Sequence, residues 1–127
     1  MPDAWHVQLY FCYTPDGIDD RLDIWGECME RHDVNRPTII SEFNAQGRDV
    51  GQQIVLMQHM ALRLGQAAAA RVQGQDDWLW SAYWFSLNYK ANASDTGVTN
   101  VIDEDGAVNE LGRAFAEERM DRIENLA

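Results

Sequence analysis

The sequence predicts an α/β protein built from three consecutive strand–helix units that form part of a larger fold. Two observations lead there. Segments of period-two hydrophobicity alternate with segments of helical period along the chain. The connections between successive strands are also long enough for right-handed crossovers, which makes the strands parallel. A parallel sheet needs helices on its faces or closure into a barrel, and three strands leave two bare edges and half a core.

The first strand is expected over Trp5 to Tyr13, where Val7, Leu9 and Phe11 alternate with His6, Gln8 and Tyr10. TPDG at Thr14 to Gly17 reads as a turn, with Asp19 or Asp20 capping a helix whose apolar stripe is Ile18, Leu22, Trp25 and Met29. That helix ends between His32 and Pro37, because the residue before a proline is pushed out of the α region. The second strand, Thr38 to Asn44, sets Thr38, Ile40, Glu42 and Asn44 on one face and Ile39, Ser41 and Phe43 on the other.

Asp49 and Gln52 have the spacing of a capping box and open a long helix from about Val50 to Val72. Its apolar repeat is Ile54, Met57, Ala61, Leu64 and Ala68, and Gly74 closes it. The third strand is Trp78 to Leu87, with Trp78, Trp80, Ala82, Trp84 and Ser86 sharing a face. A long loop follows, of a length that is usually functional or mobile. The final helix runs from about Asn109 to Asn125. No repeat, linker or low-complexity tract divides the chain, so residues 1 to 127 read as a single partial domain.

Composition narrows the partners. The 21 Asp and Glu against 10 Lys and Arg give a formal charge of −11, which repels nucleic acid and anionic membrane surfaces. Lys90 is the one lysine among the basic residues, a bias that fits either high-salt solubility or Arg-rich codon usage. The N-terminal residues lack the basic and apolar regions of a signal peptide. Cys12 and Cys28 read as small buried hydrophobes, with one disulfide as the alternative. His6 and His59 read as structural, and Met57 and Met60 as helix packing. No metal site or cofactor follows. Asp103 to Asp105 read as a solvated turn, and Asn92 to Ser94 match a glycosylation sequon.

In parallel strands the C-terminal ends share one rim, which collects Tyr10, Glu42, Asn44, Trp84 and Asn88. Glu42 is the unusual residue. A carboxylate at the mouth of a buried strand costs several kcal/mol to desolvate unless it is paired or used. Arg36 and Arg48 are the candidates for an ion pair. Chemistry is the other option, with the Tyr10 hydroxyl orienting the acid, Trp84 offering an apolar platform to a sugar, and Asn44 and Asn88 binding hydroxyls.

These residues resemble a known pattern. The chain is similar to the C-terminal three βα units, 6 to 8, of a clan A glycoside hydrolase (β/α)8 barrel, most of all the cellulase-type family 5 enzymes. ISEFNA resembles the end of the family's strand 7, which implies that Glu42 is a catalytic nucleophile. Gln8, Leu9 and Tyr10 correspond to His-x-Tyr of strand 6, with Gln8 departing from the histidine. AYWFSLNY resembles strand 8, which implies Trp84 as the floor of a sugar subsite, and DEDGAVNELGRAFAEE resembles the last loop and helix. The family's acid/base glutamate belongs at the end of strand 4, upstream of this sequence.

The resemblance therefore implies a fragment of a retaining β-glycosidase acting on a β-linked oligo- or polysaccharide, secreted if its parent degrades polysaccharide. The isolated chain is expected to be inactive, since one of two carboxyls is missing. The alternatives are a non-catalytic carbohydrate-binding or pseudoenzyme half-barrel, or an oligomerising interaction protein. Its protein partners would be the missing N-terminal barrel part or a second copy.

Overall fold

A computed structural model describes residues 3–10, 12–45, 48–84, 101 and 105–117. Strand β1 (Trp5–Leu9), helix α1 (Pro15–Arg31), strand β2 (Thr38–Phe43), helix α2 (Val50–Val72) and strand β3 (Leu79–Trp84) follow in order. A further helical segment covers 110–117. The strands form one parallel sheet in the order β1-β2-β3.

One core joins the sheet to both helices: Leu9, Ile40, Phe43 and Leu79 from the strands meet Ile18 and Leu22 of α1 and Leu56, Met60 and Ala67 of α2. Both long helices thus cover the same face. His6 and Gln8 on the opposite face are exposed. One-sided cover is the arrangement of a barrel wall, whereas a doubly wound sheet is covered on both sides.

Helix α1 starts earlier than Asp19. Thr14 is its N-cap, with its hydroxyl accepting from the Gly17 N–H at 3.1 Å, and Pro15 occupies the first turn. TPDG resembles a turn because N-caps and turns use the same residues; proline there costs nothing, since the first-turn N–H has no helical partner. The predicted stripe holds, with Ile18, Leu22 and Met29 buried. Helix α2 begins and ends as the sequence indicates. Asp49 and Gln52 close a reciprocal capping box, and Gly74 takes φ +79 beyond the C-terminus.

The buried face of α2 is rotated from the predicted one, with Gln53, Leu56, Met57, Met60 and Ala67 inward. Cys12 is buried, and burial pushes its thiol upward while Arg21 pulls it down; Cys28 is exposed and both are free, so Cys28 is not a core residue.

The strands also depart from simple alternation. Between β1 and β2 the register runs Val7↔Ile40, then Gln8↔Glu42 and Leu9↔Phe43. Between β2 and β3, Ile40↔Ala82 is followed by Phe43↔Trp84. The first shift leaves Ser41 as one extra residue in β2, a β-bulge, and the other likewise counts one extra residue between Ile40 and Phe43. The Ser41 hydroxyl donates to the Val7 carbonyl at 3.4 Å. Ile40 and Phe43 consequently both face the helices, and Glu42 shares the open face with Gln8 and not the face of Ile40. A second shift, Thr38↔Leu79 then Ile39↔Ser81, removes Trp80 from the predicted tryptophan face and leaves it 56% exposed.

Candidate active site

Glu42 reaches the rim because the bulge turns it off the core face one residue before Phe43 anchors the strand. Tyr10 follows Leu9, the register partner of Phe43, and its hydroxyl donates to Glu42 Oε2. Both side chains are half-buried. A phenol on one carboxylate oxygen fixes the group's rotation and leaves the other oxygen for a further interaction.

Neither arginine considered as an ion-pair partner is held there. The Arg48 guanidinium lies 4.5 Å from the Tyr13 ring centre, and Arg36 donates to the Asn35 carbonyl. The salt bridges among the described residues converge on Asp19, from His59 at 2.7 Å and Arg63 at 2.8 Å, joining α1 to α2. That pairing gives His59 its structural role.

The chain beyond Glu42 is tightly held. Asn44 and Ala45 are buried, and Asn44 has a polar or ring partner. Gln53, fully buried on α2, accepts from the Ala45 N–H at 2.9 Å and donates to the Ala45 carbonyl. Sequence reading missed Gln53. Its signal was a polar residue on the inward side of an otherwise apolar helix turn.

Trp84 stands opposite Phe43 in the register and meets it edge-on, with ring centres 5.1 Å apart. It therefore borders the helix-side core, while Tyr10 and Glu42 occupy the open face. Tyr83, between the register partners of Ile40 and Phe43, is 60% exposed and belongs to the same level of the sheet as Glu42. Asn88, the sequon and most of the long loop lie outside the described residues.

Two cavities, about 360 and 340 Å³, open at the other end of the sheet, around Trp78, Asp77 and Gly26. They are remote from Glu42 in the fold, since Trp78 precedes β3 and Glu42 ends β2. Among the described residues no group of three or more His, Cys, Asp or Glu is placed to hold a metal ion.

No protein-family profile and no curated protein matches the chain. Among solved structures it is similar to a GH128 (subgroup VI) exo-beta-1,3-glucanase from Aureobasidium namibiae, with TM-score 0.61 and 16% identity over 88% of this chain. The likeness is one of fold. The chain carries an α/β unit that is part of a TIM barrel, and it spans 40% of the glucanase chain.

Proposed function

We propose that the chain is the nucleophile-bearing part of a retaining β-glycosidase, one partial domain over residues 1–127, acting on a β-linked oligo- or polysaccharide. The observation that carries the reading is the Tyr10–Glu42 hydrogen bond on the open face at the C-terminal rim. A carboxylate paired with a phenol instead of a guanidinium keeps its negative charge available for attack. The barrel likeness to a glucanase supports a glycan substrate, and the motif resemblance to family 5 supports the finer assignment.

In this reading a Glu42 oxygen attacks the anomeric carbon, the glycosidic C–O bond breaks, and a glycosyl ester forms on Glu42. The departing oxygen takes its proton from an acid/base carboxyl on the N-terminal part of a complete barrel, which later deprotonates the water that hydrolyses the ester. Tyr10 holds Glu42 in the attacking rotamer. Trp84 bounds the rim from the core side, Tyr83 offers the exposed aromatic surface beside it, and Asn44 and Asn88 are the candidate hydroxyl ligands.

Dinitrophenyl β-glycosides test this, because their leaving group departs without a proton. The pure chain is expected to turn over an activated β-glucoside or β-laminaribioside slowly, with the rate lost by roughly 100-fold or more in Glu42→Gln. Unactivated oligosaccharides are expected to remain intact. Turnover indifferent to Glu42→Gln sinks the nucleophile reading, and hydrolysis of unactivated glycans that depends on Glu42 sinks the missing acid/base.

A non-catalytic carbohydrate-binding role is favoured by one observation, the exposure of Trp80 and Tyr83. Saccharide-dependent tryptophan quenching without turnover of any activated glycoside would select it.

A further inference from the structure

We propose that Gln53 is a positioning residue for Glu42, acting through the backbone of Ala45; this rests on the nucleophile reading of Glu42. Gln53 is fully buried among the apolar side chains of α2. A buried amide is unfavourable unless every polar atom is satisfied, so packing alone would place Leu or Met there. Gln53 satisfies its amide on backbone groups just beyond β2. Its Oε1 accepts from the Ala45 N–H at 2.9 Å, and its Nε2 donates to the Ala45 carbonyl and, at 3.5 Å, to that of Arg48.

This pairing replaces the neighbour that Ala45 would have had if β2 had continued. Ala45 is itself fully buried, and its carbonyl also takes the Arg48 N–H at 3.0 Å. The clamp is anchored in turn, because the Gln53 N–H bonds the carbonyl of Asp49, the N-cap of α2. A rigid helix start therefore grips the chain three residues beyond Glu42. On the other side of Glu42, the Ser41 bulge fixes its direction. Between those two points the carboxylate has one path, toward Tyr10.

A double-mutant cycle on the 127-residue chain tests the proposal. Urea unfolding of Tyr10→Phe, Glu42→Ala and the double variant gives the coupling between the two side chains, expected at roughly tenfold in the unfolding constant. In the Gln53→Met background, which preserves shape, this coupling should fall to about onefold. Gln53→Glu keeps the acceptor for the Ala45 N–H but loses the amide donor, so an intermediate coupling is expected, and this variant decides the matter if Gln53→Met does not fold. A merely structural role predicts lower stability with coupling unchanged, which would overturn the proposal. So would a wild-type coupling near onefold. The cycle involves no turnover: coupling lost in Gln53→Met while activated glycosides are untouched would retain the positioning role and reject the nucleophile.

Discussion

At the N-terminal end of the sheet Thr38 is fully buried and accepts the Trp25 indole N–H at 3.0 Å, while Trp5 lies edge-on to Trp25 and donates to the Val34 carbonyl. At the C-terminal end, on the same strand, Glu42 stays half-exposed with the Tyr10 phenol on it among the described residues. The first end uses its polar groups to close the structure, and each has its partner inside. The second spends its buried polar contacts on the backbone at Ala45 and leaves a charged side chain facing outward. Polar groups that seal the structure are thereby separated, along one strand, from the polar group left open at the rim.

The comparison can be broken most severely at the bulge. Deleting Ser41 removes the inserted residue, so Ile40, Glu42 and Phe43 alternate without a bulge and keep their present faces, while the kink in β2 and the Ser41–Val7 contact are lost. Cooperative unfolding in urea is expected, at a cost of about 3 kcal/mol. Loss of the cooperative transition would mean that the Ser41 bulge does more than absorb one residue.

The N-terminal end should respond in the ordinary way of a sealed polar contact. Thr38→Val keeps the shape but removes the acceptor for Trp25, and a loss of about 1–3 kcal/mol is expected in denaturant unfolding. The Tyr10–Glu42 coupling should be unchanged, and a shift in it would show that the two ends are not independent.

At the C-terminal end Glu42→Gln retains an oxygen acceptor for Tyr10, so the stability change should stay under about 1 kcal/mol. A cost as large as that of Thr38→Val would mark Glu42 as a structural group.

The smallest effect belongs to Asp19 in the helix layer. Burial pushes its carboxyl upward, but the hydrogen bonds and charges of His59 and Arg63 outweigh this and hold it below its ordinary 3.8. A carboxyl lowered on folding stabilises the protein above its unfolded value, and that contribution fades as pH falls through the folded one. Asp19→Asn should therefore cost less than about 1 kcal/mol at neutral pH, the partners being part-exposed, with the difference from wild type vanishing in acid. A difference that grows as pH falls from 4 would contradict the assignment.

Sequence made some of this readable and hid the rest for identifiable reasons. Helix α2 was legible at both ends because a capping box and a left-handed glycine are local signals. The parallel order followed from crossover length, which needs no side-chain detail, and the partial-barrel class from the resemblance carried by ISEFNA and AYWFSLNY. The start of α1 was not legible, since Thr14 and Pro15 serve a turn and an N-cap equally well. Face assignments failed at Ser41 and Trp80 because period two carries no mark of an inserted residue, and a bulge is decided by the neighbouring strand. Glu42 with Tyr10 could be anticipated from position on two strand ends. Gln53 could be marked as a polar residue on an apolar helix turn but given no purpose, because its partner is a backbone group that no sequence pattern displays. Trp84 against Phe43 reflects the same difficulty, as its side of the sheet depended on both shifts.

The Ser41 bulge has a consequence for how such a strand can change over evolutionary time. Conservative substitutions at Ile40, Glu42 or Phe43 alter what is presented, yet the direction of presentation stays fixed while the residue count does. Loss of the Ser41 codon also leaves Glu42 outside and Phe43 inside, because the bulge absorbs the single extra residue. The direction of the carboxylate is thus buffered against point mutation and against that one frame-preserving deletion.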